Sequence, residues 1–522
     1  MAMVTGIRSE GWFGPPFVRA SDPPGRPSAN GAIIADGASI FEVEELMVTR
    51  FSMVLAAAAA LAVSVPATSA EPLHTTKLRV LILSDIGNEP DDSESLVRLL
   101  LYANEFDIEG LVATTSTWQR TRVQPQLMRE RVEAYGKVLP NLRKHARGYP
   151  DASTLMAAIV SGTPVYGMAA VGEGKDTEAS RRIIEVVDRP DDRPVYIPVW
   201  GGSADLAQAL WTVRETRTPE QVKAFVSKLR IYSISDQDDT GAWARRTFPD
   251  LFWIASVHGW GQYGLAAWIG IAGDLFHRDD KWPNADMVTN EWLEANIRRG
   301  PLGALYPPHE FIMEGDTPSF LGLIPNGLNN PERPEWGGWG GRYLPIYEGA
   351  GHRADASDRF VDANGKVWVS NQATVFRWRG AFQNDFAGRM AWTLSPDVRR
   401  ANHYPELVLN GVAGKAPVTL SAKVGATVRL SAAGTHDRDG DKLTYRWWQY
   451  AEPSQAPGVM VPPLEITGAD STEVSFTLPM YRMTNTNVPV PKDTAYHIIL
   501  EVTDSGSPPL TSYRRAVVTL EP

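Results

Sequence analysis

The chain contains no cysteine. That removes cysteine nucleophiles, thiolate zinc sites and disulfides together. An excess of positive charge is also missing: 51 Lys+Arg stand against 61 Asp+Glu, a formal net charge of −10, with no basic run. Phosphate backbones are held by clustered Lys and Arg, so no nucleic acid polymer is expected as a partner. Long apolar runs are scarce. The one extended run, Met53 to Val65, is stopped by Pro66 and falls short of the ~20 residues that span a bilayer. Met47-Val-Thr-Arg50 precedes it and small residues ending at Ala70 follow, the layout of a signal peptide over 47–70 cleaved after Ala70. Residues 1–46, rich in Gly and Pro without periodicity, read as a leader that is non-native or disordered. The expectation is a secreted or periplasmic protein with no membrane span after cleavage.

What is present is ordinary for a soluble protein of two to four domains, with 43% hydrophobic and 21% charged residues, except for 17 tryptophans. From Lys77 to Tyr404 short apolar runs alternate with amphipathic stretches, which predicts an α/β domain over 77–404 with a mostly parallel sheet and flanking helices. Leu78 to Leu83 reads as a buried strand, Ser93 to Asn104 as a helix and Ile108 to Thr114 as the next strand. Later strands are Pro194 to Val199, Lys228 to Ile234 and Leu251 to Ser256, with helices over Asp205 to Thr212 and Pro219 to Lys228. Sheets of this kind bind ligands at the carboxyl ends of their strands. Over 405–522 the pattern changes to apolar/polar alternation broken by Gly, Pro, Asp and Asn, which predicts an all-β immunoglobulin-like sandwich with strands at 417–431, 443–450, 472–478, 495–504 and 512–520. Asp437-Arg-Asp439-Gly-Asp441 could converge on a Ca²⁺ ion or simply form a turn; an EF-hand's closing Glu would fall at Trp448.

The strongest chemical pattern follows the first strand: Ser84-Asp85-Ile-Gly-Asn-Glu89-Pro-Asp91-Asp92, leading into a helix. Four crowded carboxylates repel one another, and a hard cation is the usual compensation. A helix N-terminus compensates more weakly.

These residues resemble the signature of the nucleoside hydrolases, a Ca²⁺-dependent α/β family that cleaves N-ribosidic bonds. More closely the chain resembles a secreted cellulose-binding family that joins a nucleoside-hydrolase-like domain to a β-sandwich. The resemblance is carried by Asp85 to Tyr102, Tyr232 to Asp239, Glu314 to Phe320, Trp336 to Arg342, Asn384 to Met390 and Asp437 to Pro453. It implies Ca²⁺ as cofactor, held by Asp85, Asp92, the Trp200 carbonyl and a distal Asp385, with Asp91 binding a sugar hydroxyl. It further implies that a carboxylate accepts the proton of the attacking water. Two departures stand out. Five residues separate Asp85 from Asp91 where nucleoside hydrolases have three, which brings Glu89 into play as base or ligand. Asn384 stands where one branch has a proton-donating His, and an amide cannot supply that proton.

Weaker substrate-binding candidates are Asp236 and Asp238 with Asp239, Glu314 and Asp316 in a Gly/Pro loop, and the glycine-spaced Trp336, Trp339 and Tyr343, which could form a platform for a sugar ring or base or pack a long loop. The nine His show no metal-ligand spacing. Two function classes follow. One is a secreted Ca²⁺-dependent glycosidase acting on an N-ribosyl or furanosyl bond of a small-molecule glycoside. The other is a non-catalytic binder of a polysaccharide such as cellulose. Homo-oligomerisation is compatible with either.

Overall fold

The computed structural model describes residues 77–259, 261–275, 281–454, 459–483 and 494–521; the leader over 1–46 and the signal segment over 47–70 lie outside the described residues. The central sheet has eight strands: β1 (Leu78–Ser84), β2 (Phe106–Ala113), β3 (Ile159–Ser161), β4 (Val195–Val199), β5 (Leu229–Ser233), β6 (Phe252–Ala255), β7 (Tyr343–Pro345) and β8 (His352–Asp355). Their order is β3-β2-β1-β4-β5-β6-β8-β7, parallel throughout except for the β7–β8 edge pair. The α/β reading thus holds. The strand order reverses between β1 and β4, which opens a crevice at their carboxyl ends.

β1 reads as an unbroken apolar run because both its faces are covered. Val80 and Ile82 pack into the core layer that includes the helices α1 (Asp91–Leu101) and Pro125–His145, while Leu81 and Leu83 face the helices Glu178–Asp188 and Ala204–Thr216. All four are fully buried, each contributing roughly 1.5–3 kcal/mol of transfer free energy. α1 begins at Asp91, two residues earlier than the apolar spacing suggests, because Pro90 supplies a fixed φ of −71° at its N-cap.

The carboxyl-terminal region is a β-sandwich. A four-stranded sheet, Val418–Ala422, Thr511–Leu520, Ala495–Thr503 and Thr444–Tyr450 in spatial order, packs its inner face on the pair Thr427–Ser431 and Glu473–Thr477. The stretch 417–431, expected as one strand, is two strands in different sheets, parted by a turn at Gly425 with φ +79°. The Asp437–Asp441 stretch is a bend in which Asp437, Asp439 and Asp441 each bring a carboxylate oxygen within 4.8 Å of the others, so the turn and the cation-binding readings both stand. Asp437 Oδ1 accepts the backbone N–H groups of Asp439 at 2.8 Å and Asp441 at 3.2 Å, and Asp439 is taken by the His403 ring at 2.8 Å. Tyr450, Ile499 and Tyr513 of the sandwich share the α/β core, so packing is continuous across residue 405.

Candidate active site

The acidic loop leaves β1 beside the strand-order reversal and enters α1, so its carboxylates are delivered by the two elements that the sheet fixes most firmly. Ser84 Oγ donates to Asp92 Oδ1 at 2.5 Å, and the Asp92 N–H donates to Asp91 Oδ1 at 3.1 Å. The loop backbone is held from outside by two amides: Gln119 Nε2 donates to the Asp85 carbonyl at 2.9 Å, and Gln124 Nε2 to the Gly87 carbonyl at 3.0 Å. β4 ends at Val199, and the carbonyl of the next residue, Trp200, accepts a hydrogen bond from Gln237. Gly201 lets Asp85 lie against this strand end, since a Cβ there would sit 2.7 Å from Asp85 Oδ1.

A further acid, Asp316, joins them from outside the loop. One carboxylate oxygen each from Asp91, Asp92 and Asp316 lies within 4.8 Å of the others. Asp316 reaches the loop because Glu314, a non-glycine residue at φ +54°, turns the chain sharply just before it. That strained backbone is held by the Glu314 side chain, which is ion-paired with Arg98 Nε at 2.6 Å and accepts from the Tyr306 hydroxyl at 2.7 Å. At Gly315 a Cβ would fall 2.8 Å from Asp91 Oδ2, so a side chain there would displace the Asp91 carboxylate.

Asp385, expected as the distal ligand, is elsewhere. It sits on the helix Arg379–Trp392 and accepts hydrogen bonds from the Tyr102 and Tyr404 hydroxyls. Tyr102 caps the carboxyl end of α1, whereas the acids lie at its amino end, a helix length of ~16 Å away. Asn384, beside it, is half-buried on the same helix. Glu314 is no substrate ligand either: it is fully buried in its ion pair. Asp238 is buried as a staple, accepting from Thr240 N at 2.9 Å and Ser203 N at 3.0 Å. Asp236 forms a two-pronged pair with Arg245 at 2.9 and 2.5 Å, and remains at the edge of a small pocket with His258 and Tyr263. Trp336 and Trp339 are buried: Trp336 packs edge-on against His497 and Trp339 against Phe382 and Tyr513, so both bind the sandwich to the α/β domain.

The electrostatics of the cluster are those of a site built around positive charge. Asp85, Asp92 and Asp316 are at most 4% exposed, while Asp91 and Glu89 are half-buried at the mouth. Burial lifts the Asp85 carboxyl to about 6, and burial with repulsion from Glu89 and Asp85 lifts Asp91 to about 8. Asp92 and Asp316 are pushed well above the usual carboxylate range by burial and by their acidic neighbours, and Glu89 is raised by the same causes. Among the described residues no Lys, Arg or His comes within ion-pair distance of Asp85, Asp91, Asp92 or Asp316, and the buried Asp316 Oδ2 has no hydrogen-bond partner. Buried charges are normally paired or bound to metal, so the donor set fits a hard, oxygen-seeking cation.

The aromatic residues at the mouth are not the glycine-spaced ones. Trp118 follows β2, Tyr166 follows β3 and Tyr263 follows β6, all at carboxyl strand ends. Trp118 is 54% exposed and meets Tyr263 edge-on at 6.4 Å, and Arg120 covers Tyr166 at 4.6 Å. Burial together with Tyr166, Asp236, Asp85 and Glu89 pushes the Tyr263 hydroxyl up to about 12, which puts it in the field of the acidic loop. Their sequence signal was position in strand-end loops, where exposure is set by the sheet rather than by composition.

Comparison with known proteins bears on the family and the fold. Residues 79–343 match the family described as cellulose-binding Sde182, nucleoside hydrolase-like domain, and residues 427–520 match the cellulose-binding protein Sde0182 C-terminal domain. A solved nucleoside hydrolase-related hypothetical protein from Saccharophagus degradans, associated with carbohydrate metabolism, is 34% identical, covers 85% of this chain and 100% of its own, and superposes with a TM-score of 0.70. The effector protein XOO4466 is 12% identical over 54% of this chain and 88% of its own, with a TM-score of 0.27, too distant to bear on the chemistry. No curated protein matches significantly. Asp85, Asp91, Asp92 and Asp316 all fall inside the first matched segment, and Asp385 falls outside both. The chain belongs to the cellulose-binding Sde182 family with a nucleoside hydrolase-like domain.

Proposed function

We propose that this protein is an exported, Ca²⁺-dependent glycosidase of nucleoside-hydrolase type that hydrolyses an N-ribosyl or related furanosyl bond. The observation that carries it is the convergence of one carboxylate oxygen each from Asp91, Asp92 and Asp316 at the β1/β4 crevice, with Asp85 near enough to repel all three and, among the described residues, no protein counter-charge within ion-pair distance. Asp85, Asp92, Asp316 and the Trp200 carbonyl would hold the cation, with Asp91 beside them at the mouth. Such an ion takes ~6–8 oxygens, orients vicinal sugar hydroxyls and makes water more acidic. Asp85 accepts the proton of the attacking water, Asp91 holds a sugar hydroxyl, and Glu89 at the half-exposed mouth faces the departing group. Negative charge around the sugar supports an oxocarbenium-like transition state. Trp118 and Tyr263 offer ring faces to the part of the substrate outside the acidic pocket.

The family description favours a second reading, a polysaccharide binder in which the acidic pocket is inherited without turnover. Product analysis separates the two. Purified protein with Ca²⁺ is incubated with nucleosides, nitrophenyl furanosides and oligosaccharides, alongside Asp92→Ala. Release of free sugar by the wild type alone supports the glycosidase. No turnover of any glycoside, with polysaccharide binding intact, selects the binder. Among the described residues no helix is long and apolar enough to cross a membrane. Export itself is tested by amino-terminal sequencing of natively produced protein, which should begin near Glu71.

A further inference from the structure

A pocket of about 140 Å³ lies at the carboxyl ends of β5 and β6, lined by Ser235, Asp236, Ser256, His258 and Tyr263. It adjoins the acidic crevice on two sides. Tyr263, in its wall, stands in the field of Asp85 and Glu89 and meets Trp118, which follows β2 on the far side of β1. The chain after β6 therefore returns to the crevice by Tyr263. On the other side, Trp268 Nε1 donates to Ser235 Oγ at 3.1 Å, and the same ring lies 3.6 Å from where a Cβ on Gly315 would stand, next to Asp316. The pocket has room for one ring rather than a whole glycoside, so it extends the crevice instead of duplicating it.

Among the described residues that line this pocket, His258 is the group placed to move a proton. Its side chain is 29% exposed, and Nε2 donates to Asp355 Oδ2 at 2.9 Å. Asp355 is itself only 7% exposed and is fixed by three further donors, Ser256 Oγ, Asn371 Nδ2 at 3.2 Å and the Ala267 N–H at 3.3 Å. A carboxylate held in this way orients the imidazole and sets its tautomer, leaving Nδ1 to face a ligand. The other polar groups are engaged or unsuited. Asp236 is paired with Arg245 through both oxygens, and Ser235 Oγ accepts from Trp268. The Tyr263 hydroxyl, pushed up to about 12, holds its proton too tightly to release it at neutral pH.

We propose that this pocket takes the leaving group of the hydrolysed bond and that His258, oriented by Asp355, protonates it. The assignment rests on the glycosidase reading. As the bond from the anomeric carbon to the leaving atom breaks, its electron pair stays on the leaving atom and takes the proton of His258 Nδ1. The water oxygen bonds to the anomeric carbon, and the water's proton passes to Asp85. His258 regains a proton from solvent and Asp85 returns one, so the free sugar and the protonated leaving group are the net products. The test compares inosine, whose base needs a proton to depart, with nitrophenyl ribofuranoside, whose phenolate does not, using the full mature chain with Ca²⁺. His258→Gln should lower kcat on inosine by about 10²–10⁴-fold and change the nitrophenyl rate by less than about threefold. Asp355→Asn, which deprives the ring of its acceptor, should show the same selectivity to a smaller extent. If Asp355→Asn fails to fold, His258→Gln, at a partly exposed position, decides alone. Wild-type turnover of the nitrophenyl substrate alone, equal losses on both substrates in His258→Gln, no loss on either, or the selectivity appearing in Glu89→Gln instead overturns this assignment and leaves the glycosidase reading standing. No turnover of any glycoside overturns both.

Discussion

Replacing Asp316 by Asn should make the metal-free protein more stable while removing its response to Ca²⁺. At 4.8 Å and an effective dielectric constant near 20, each pair of ionised carboxylates in the Asp91–Asp92–Asp316 group repels by about 3.5 kcal/mol. The substitution deletes two of those pairs. The full sum is not reached because buried acids take up protons instead of remaining charged, at about 1.4 kcal/mol per pH unit between their pKa and the solution. A net gain of about 1–3 kcal/mol in chelator at pH 7 is the expectation. With Ca²⁺ at a hundred times its dissociation constant, wild type should gain about 2.7 kcal/mol by mass action, and Asp316→Asn almost none. Scanning calorimetry in EDTA and in excess Ca²⁺ reads both effects in one series. Asp385→Asn is the control: it unseats the Tyr102 and Tyr404 hydroxyls and should lower stability, yet keep the Ca²⁺ shift. A Ca²⁺ shift retained in Asp316→Asn and lost in Asp385→Asn would refute the placement of the cation.

Trp118→Ala removes an exposed ring at the mouth, so the melting temperature should not move while KM or the ligand dissociation constant rises roughly five- to tenfold, as expected for ~1–1.5 kcal/mol of stacking; unchanged affinity for every ligand tested would remove Trp118 from the site. Arg98→Ala strands the fully buried Glu314 carboxylate and should cost ~3–5 kcal/mol in denaturant unfolding, whereas Arg98→Ala with Glu314→Gln together should recover part of that loss. His497 is held neutral by burial and by Arg515, whose guanidinium lies 3.0 Å from Nδ1, so its pKa is well below the ordinary 6.5. The unfolded chain then binds the proton more readily. Stability attributable to His497 is full above pH 6.5 and declines as pH falls below it, by up to ~1.4 kcal/mol per unit. The difference between wild type and His497→Gln in urea titrations from pH 7.5 to 5.5 should shrink or reverse accordingly, and a difference independent of pH would exclude this origin.

The residues of the first strand and the loop after it carry their meaning in the sequence. Leu78 to Leu83 must be covered on both faces because its run is continuously apolar, and four acids at such a strand end require compensation wherever the rest of the chain goes. The strands Leu78–Ser84, Phe106–Ala113, Val195–Val199, Leu229–Ser233 and Phe252–Ala255 and the helices Ala204–Thr216 and Pro219–Ser227 follow from the same periodicities, as does the change to alternating strands after residue 405, whereas the helices Pro125–His145 and Glu178–Asp188 and the strand Ile159–Ser161 were not placed from sequence. The partner of the acidic loop was not legible in that way. Asp316 and Asp385 both stand in plausible local contexts, and local context cannot say which end of α1 a distant segment reaches. Tertiary packing decides it: the helix Arg379–Trp392 crosses α1 at Tyr102, while the turn at Glu314, clamped by Arg98 one turn along α1, brings Asp316 to the amino end. The tryptophans divide on the same ground. Glycine spacing leaves Trp336 and Trp339 open to display or to packing inside a long loop, and the fold takes the second course, burying both rings against the sandwich. Trp118, with no motif around it, is exposed because it leaves β2 at the carboxyl edge of the sheet. Sequence by itself determined the chemistry of the first loop and the order of the layers, because both depend on neighbours in the chain; which distant carboxylate and which aromatic rings join that loop depends on how helices pack across the sheet, and only the folded structure decided it.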